Sequence, residues 1–381
     1  MIDSLTRDDL RTLAERRGNC LVSLYLPTER AGRQVRQNRI RFKNLLDQAN
    51  QVVTGNDEDA NRVRQPIESL RSWERDDGWW QSQAKGLGVF LDGVDVRRWR
   101  LPAVVPDLCV CTDKLHIRPL CRVLQNNARF FVLAVSQNDV RLFQGTKASV
   151  TELPSAHLPD DLRSALNIDE YVSSLQHHAT ARGARGDAMF HGQGGSDPDI
   201  RKRDEIRQYL RQVNRALHGH LRETKAPLVF AGVDYLFPIF RQVCDYPMLL
   251  PEFIVGNPED MSGKELHQRA WPLIASRLDA RCRELVAEYS VAITERMGSG
   301  EIDVILPAAE QGRVATLLTA ADAYLWESVP PAVGTSDLIN SAVVATLRNG
   351  GQVFSVDNQQ IDGKIAAIFR YPSGKTSNAN D

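Results

Sequence analysis

The chain has 381 residues, 42% of them hydrophobic and 25% charged, and its 47 Lys and Arg against 48 Asp and Glu give a formal net charge of −1. That is the composition of a globular protein able to bury a core, and it excludes a uniformly basic nucleic-acid coat protein while leaving room for a local basic face. No apolar run nears the ~20 residues of a membrane-spanning helix. The acidic start MIDSLTRDDL is unlike a secretory leader, and six scattered cysteines without a C-x-x-C argue against a disulfide framework, so the expectation is a cytoplasmic protein.

From the N-terminus, the pattern predicts a polar helix over residues 5–17, then a buried strand over 20–26 ended by Pro27. A helix follows over 32–53, with Val35, Phe42, Leu45, Leu46, Ala49 and Val53 at helical spacing. A second helical pattern covers 59–75. Residues 85–91 and 94–101 read as a strand pair turning at Asp92-Gly93, and Pro102 and Pro106 mark an edge. Cys109 and Cys111 flank one valine in a strand-like run and read as buried small residues.

A second segment starts near Thr112. Residues 129–135, 140–144 and 148–153 alternate around turn-like Gln137-Asn138-Asp139 and Gly145-Thr146-Lys147, which predicts a three-stranded antiparallel meander. Residues 176–197 form a polar stretch with five glycines (Gly183, Gly186, Gly192, Gly194, Gly195), and a loop of that length is usually functional or disordered. Asp197-Pro198 then sets a capping carboxylate before a first-turn proline. The helix after it carries Ile206, Tyr209, Leu210, Val213, Leu217 and Leu221 on one stripe. Pro227 ends it, and a buried strand follows over 228–233.

A third segment starts near Ser262 with a long helix to about Met297, stopped by Gly298-Ser299-Gly300. Residues 301–306, 323–326, 352–356 and 364–370 read as strands, with helices over 310–319 and 336–348 between them. Residues 373–381 are polar and read as a disordered tail. The expected fold class is α/β, in three consecutive α/β domains: 1–111, 112–261 and 262–372.

Three features could carry chemistry. In Phe190-His191-Gly192-Gln193-Gly194-Gly195-Ser196, glycines let backbone approach a ligand closely, and a helix N-terminus follows. No Lys-Ser/Thr follows the glycines, so this is not a nucleotide P-loop. A solvated connector is the plain alternative. On the next helix Arg203, Arg207, Arg211 and Arg215 recur every fourth residue and share a face, Arg201 and Lys202 crowd its start, and Arg182 and Arg185 precede it. From Arg182 to Arg215 there are eight basic and five acidic residues. A basic rail beside a glycine-rich tip suits a phosphate backbone, whereas a solvated face partnered by Asp204 and Glu205 is the alternative. An earlier cluster, Arg30, Arg33, Arg36, Arg39, Arg41 and Lys43, is uninterrupted by acid and suits phosphates or arginines lying over a helix.

The histidine pairs His177/His178 and His218/His220 diverge on helix or strand and lack thiolate or carboxylate partners at ligand spacing, so no structural zinc is expected. Neither a G-x-S-x-G elbow nor a carboxylate pair stands out.

At these residues the chain resembles the third of the bacterial families related to archaeo-eukaryotic class-one peptide-release factors and Pelota. The resemblance is carried by CLVSLYLPTERAGRQVRQNRIRFKNLL, KLHIRPL, RFFVLAVSQNDVRLFQG, FHGQGG with its arginine-bearing helix, APLVFAGVDYLFPIFR, TSDLINSAVVATLRNGGQVFSV and IAAIFRY, in that order over nearly the whole chain. It implies a ribonuclease-H-like middle domain without a nuclease site, and a last domain like the kink-turn-binding ribosomal-protein fold. The whole would mimic tRNA in the ribosomal A site of stalled or idle ribosomes, for rescue or hibernation under stress. The implied partner is rRNA, contacted by Arg182, Arg185, Arg201, Lys202, Arg203, Arg207, Arg211, Arg215, Arg33, Arg36 and Arg39. A translational GTPase or elongation factor is the delivery partner left open. No cofactor, metal, membrane or DNA is implied. In release factors a Gly-Gly-Gln tip places water against the peptidyl-tRNA ester. Here His191, Gly192, Gln193, Gly194 and Gly195 would reach the peptidyl-transferase centre, with Gln193 before the paired glycines. A non-catalytic role is the reading preferred, with ester hydrolysis through Gln193 as the alternative. The stop-codon-reading Asn-Ile-Lys-Ser motif is missing.

Overall fold

A computed structural model describes residues 5–29, 35–52, 58–93, 95–154, 158–159, 161–162, 198–222, 224–328 and 335–372. The chain divides into two compact units, Met1–Asn127 with Asp279–Asp381, and Ala128–Leu278. Residues 112–127, grouped by sequence with the middle segment, thus fall with the first.

In the first unit, β1 (Leu21–Pro27), β2 (Gly86–Leu91), β3 (Val96–Leu101) and β4 (Leu108–Thr112) form an antiparallel sheet in the order β3-β2-β1-β4. One face, with Val22, Leu24, Leu26, Leu87, Val89 and Leu91, packs on Phe42, Leu45, Leu46, Val63, Ile67 and Trp80. These come from helices α1 (Val35–Val52) and α2 (Glu58–Leu70) and the short α3 (Asp77–Gln81). The period of two along each strand sends Leu21, Tyr25, Phe90, Trp99 and Leu101 to the opposite face. There they share a core with the helices Arg7–Glu15, Arg118–Asn126, Ile302–Glu310 and Leu338–Arg348 and with a second sheet.

That second sheet has the order β10-β13-β11-β12, from β10 (Gly298–Ser299), β11 (Val314–Ala320), β12 (Gln352–Val356) and β13 (Ile365–Phe369). Here the structure corrects the sequence. Residues 302–310 are helix rather than strand, and 314–320 are an interior strand of the sheet rather than helix. Residues 323–326 make only the bridge Trp326–Asp337. Val314–Ala320 lies between β12 and β13 and is largely buried, so it lacks the alternation that marks a strand.

The second unit is a five-stranded sheet in the order β7-β6-β5-β8-β9. Its strands are β5 (Phe130–Val135), β6 (Val140–Gly145), β7 (Val150–Glu152), β8 (Leu228–Gly232) and β9 (Ile254–Val255). The first three form the expected antiparallel meander, and β8 and β9 continue parallel to β5 on its other side. This is the ribonuclease-H-like layout the resemblance implies. All of β5 is buried because both faces are covered. Phe131, Leu133 and Val135 meet the helices Pro198–Leu221 and Leu236–Val243. Phe130, Val132 and Ala134 meet Leu266, Ala270 and Ile274 of the long helix Gly263–Thr294. The molecule is thus mixed α/β with three sheets.

Candidate nucleic-acid interface

The helix Pro198–Leu221 begins at the proline the sequence marked as its start. Ile206, Tyr209, Leu210, Val213, Leu217 and Leu221 are all buried, the predicted stripe in full. Tyr209 pins the helix to the sheet by donating its hydroxyl to the Ser136 carbonyl at 3.0 Å, and burial pushes that phenol well up. With this face fixed, the four-residue repeat carries the arginines outward. Lys202, Arg203, Arg211 and Arg215 are exposed, and Arg207 is half-buried.

Arg207 Nη1 meets Asp204 Oδ1 at 2.9 Å, one turn earlier on the same surface. An exposed pair of this kind holds its arginine only weakly. Among the described residues no ion pair joins Arg203, Arg211 or Arg215 to an acid. The helix therefore presents a row of cations with its rigid side anchored, a suitable shape for a phosphate backbone. Near its C-terminus Asp245 accepts from Asn214 at 3.0 Å and lies 2.9 Å from His218 Nε2. The Asn214 hydrogen bond, aided by His218, holds that carboxyl below its usual range.

Arg182, Arg185, His191, Gly192, Gln193, Gly194, Gly195 and Arg33 lie outside the described residues, as do the side chain of Arg201 and the whole stretch 176–197. The structure gives them no geometry.

The first basic cluster divides. Arg36 and Lys43 are exposed on α1. Arg39 is paired with Asp77 at the start of α3, and Arg41 lies 3.7 Å from Asp107 and donates to the Pro27 carbonyl at 3.3 Å. Two of the expected phosphate-facing cations therefore already have protein partners.

One arrangement escaped sequence reasoning. Arg98 of edge strand β3 holds its guanidinium 4.5 Å above the Trp73 ring and 5.8 Å from that of Trp79. The signal was present as the run Val96-Arg97-Arg98-Trp99-Arg100, whose alternation places Trp99 in the core and Arg98 and Arg100 on the other face. Among the described residues, no group of three or more His, Cys, Asp or Glu could hold a metal. Burial pushes the thiols of Cys109 and Cys121 up to about 12, so neither is a ready nucleophile.

Residues 129–313 match the family model for bacterial archaeo-eukaryotic release factor family 3, the family read from the sequence. No curated protein matches. Among solved structures, an archaeal protein is similar at 13% identity, covering 98% of this chain and 100% of its own, with a TM-score of 0.32. Ribosome-bound archaeal Pelota with ABCE1 is similar at 11% identity, covering 97% and 95%, with a TM-score of 0.40. Dom34 of S. cerevisiae, a translation termination-like factor, is similar at 12% identity, covering 76% and 75%, with a TM-score of 0.38. Scores below 0.5 do not equate the architectures.

Proposed function

We propose that this chain, a bacterial archaeo-eukaryotic release factor family 3 protein over residues 129–313, is a ribosome-binding factor that takes the place of tRNA in the A site. The observation that carries the reading is the arginine row of the Pro198–Leu221 helix. Its apolar side is locked to the sheet, its cations face outward, and it begins directly after the glycine-rich segment. Such a row neutralises rRNA phosphates, and the glycine-rich segment ahead of it leads toward the peptidyl-transferase centre. The rRNA contacts are Arg182, Arg185, Arg201, Lys202, Arg203, Arg207, Arg211 and Arg215, with Arg33, Arg36 and Arg39 a second set. Idle or stalled ribosomes are the substrate, in hibernation or rescue, in the cytoplasm. A translational GTPase or elongation factor is the candidate delivery partner.

The tip order favours occupancy over hydrolysis. Gln193 precedes the glycine pair, so a backbone that aims the residue after the glycines aims Ser196. Ester hydrolysis through Gln193 is the second reading, and peptide release lost in Gln193→Ala with ribosome binding kept would establish it.

The test of the first reading is cosedimentation with ribosomes over a salt series. Binding of the wild type falls steeply as salt rises, and the double variant Arg207→Ala, Arg211→Ala has a shallower slope and weaker binding. Unchanged binding in the double variant overturns the assignment of this face.

A further inference from the structure

In the first unit, three planar groups form a graded stack. Phe42 of α1 and Trp73 are nearly parallel, 6° apart, with ring centroids 6.1 Å from one another. The Arg98 guanidinium sits over Trp73 at 4.5 Å. Phe42 is fully buried, Trp73 half-buried and Arg98 exposed, so the series runs from core to solvent and ends in a guanidinium.

Its geometry is fixed from below. Trp80 is completely buried and donates Nε1–H to the Trp73 carbonyl at 2.8 Å, locking the turn that carries Trp73. Trp79 packs against Trp73 with centroids 5.1 Å apart, and Asp76 caps the N–H of Trp79 at 2.9 Å. Among the described residues no carboxylate pairs with Arg98. Exposed Arg75 and half-buried Arg100 add positive charge, the latter two residues along on the same side of β3.

An arginine held over an aromatic ring has lost part of its freedom before any ligand arrives. The side chain is exposed, which leaves its planar group accessible to a ligand from the solvent side. That combination suits an unpaired nucleobase stacked on the guanidinium with its phosphate beside a neighbouring arginine, a recognised mode of single-stranded RNA binding. A paired helix, with its bases stacked inward, offers no such face. We propose that Arg98, backed by Trp73 and Trp79, is a stacking site for one unpaired RNA base. This deepens the ribosome-binding reading and rests on it for the source of the RNA, although the site itself lies in the other unit.

The experiment uses the full chain and fluorescence anisotropy with end-labelled oligoadenylate at moderate salt. Arg98→Lys keeps the charge and removes the plane, and Arg100→Lys is the control for charge alone. The wild type should bind oligoadenylate more tightly than a labelled RNA duplex. Arg98→Lys should weaken oligoadenylate binding about tenfold, within the range for loss of one stacked base, while Arg100→Lys stays within about twofold. Circular dichroism melting identifies a variant that has lost its fold, and Arg98→Gln provides a second planar, uncharged side chain that should retain more binding than Arg98→Ala. Equal affinity of wild type and Arg98→Lys, or equal affinity for duplex and single strand, overturns the site. If oligoadenylate binds as described but ribosomes do not cosediment, the ribosome reading fails alone. If ribosomes cosediment and Arg98→Lys matches wild type on oligoadenylate, this inference fails alone.

Discussion

Arg118 Nε lies 3.4 Å from Asp337 Oδ2, with side-chain exposures of 5% and 0%, and joins residues far apart in sequence. Arg118 also lies 4.3 Å over the Tyr324 ring and donates from Nη1 to the Ala320 carbonyl at 3.3 Å. Asp337 Oδ1 accepts from Leu325 at 3.0 Å and from Ile339 at 3.2 Å, capping the Leu338–Arg348 helix. Burial raises the Asp337 carboxyl, and the Arg118 charge opposes that rise.

Removing one partner of such a pair strands the other in the core. Arg118→Met should destabilise the protein by about 3–5 kcal/mol. Adding Asp337→Asn should recover part of that loss, because the amide keeps a capping oxygen and leaves no buried charge. Denaturant melts of the two singles and the double measure the coupling, and strictly additive losses would show that the pair does not interact.

His116 is the acid-sensitive point of the same unit. It is 1% exposed, neither ring nitrogen has a hydrogen-bond partner among the described residues, and burial, with Arg118 adding to it, lowers its pKa from 6.5 to about 3. Below pH 6.5 the unfolded chain takes up a proton that the folded chain refuses. Stability present above 6.5 is therefore lost as pH falls toward 3, by about 1.4 kcal/mol per pH unit from this group. His116→Phe should flatten that part of the pH–stability curve between pH 6.5 and 4.5. An unchanged slope would mean that the imidazole is protonated in the fold.

Gly145 faces the Phe130 ring across the β5–β6 pair, where a Cβ would stand 2.5 Å from the ring. Phe130 is completely buried and cannot swing away freely. Gly145→Val should cost about 1–3 kcal/mol in thermal or denaturant melts. Combining it with Phe130→Leu, which opens room at the same point, should cost less than the sum of the two.

Where the sequence carried periodicity or punctuation, it was readable. The stripe Ile206 to Leu221 follows from helical spacing, Pro198 from first-turn chemistry, and the meander from strand-like runs separated by turn residues. Residues 302–310 and 314–320 were exchanged because both are short apolar runs. Ile302-Asp303-Val304-Ile305-Leu306 is β-branched yet helical, and Val314–Ala320 holds helix-favouring Ala and Leu yet lies inside a sheet. Tertiary burial decided both, and no local signal records it. The outward arginine row followed from spacing alone. The pairing of Arg39 with Asp77 and of Arg98 with Trp73 did not, because each joins residues that only the fold brings together.

The central claim is that this chain occupies the place of tRNA on the ribosome with its glycine-rich segment leading. Cryo-electron microscopy of ribosomes recovered with the tagged protein from starved cells reads that directly. The account predicts density in the A site, residues 191–195 at the peptidyl-transferase centre, and Arg203, Arg207, Arg211 and Arg215 along rRNA phosphates. Ribosomes with an empty A site and the protein bound elsewhere, or no ribosomes recovered at all, would contradict it.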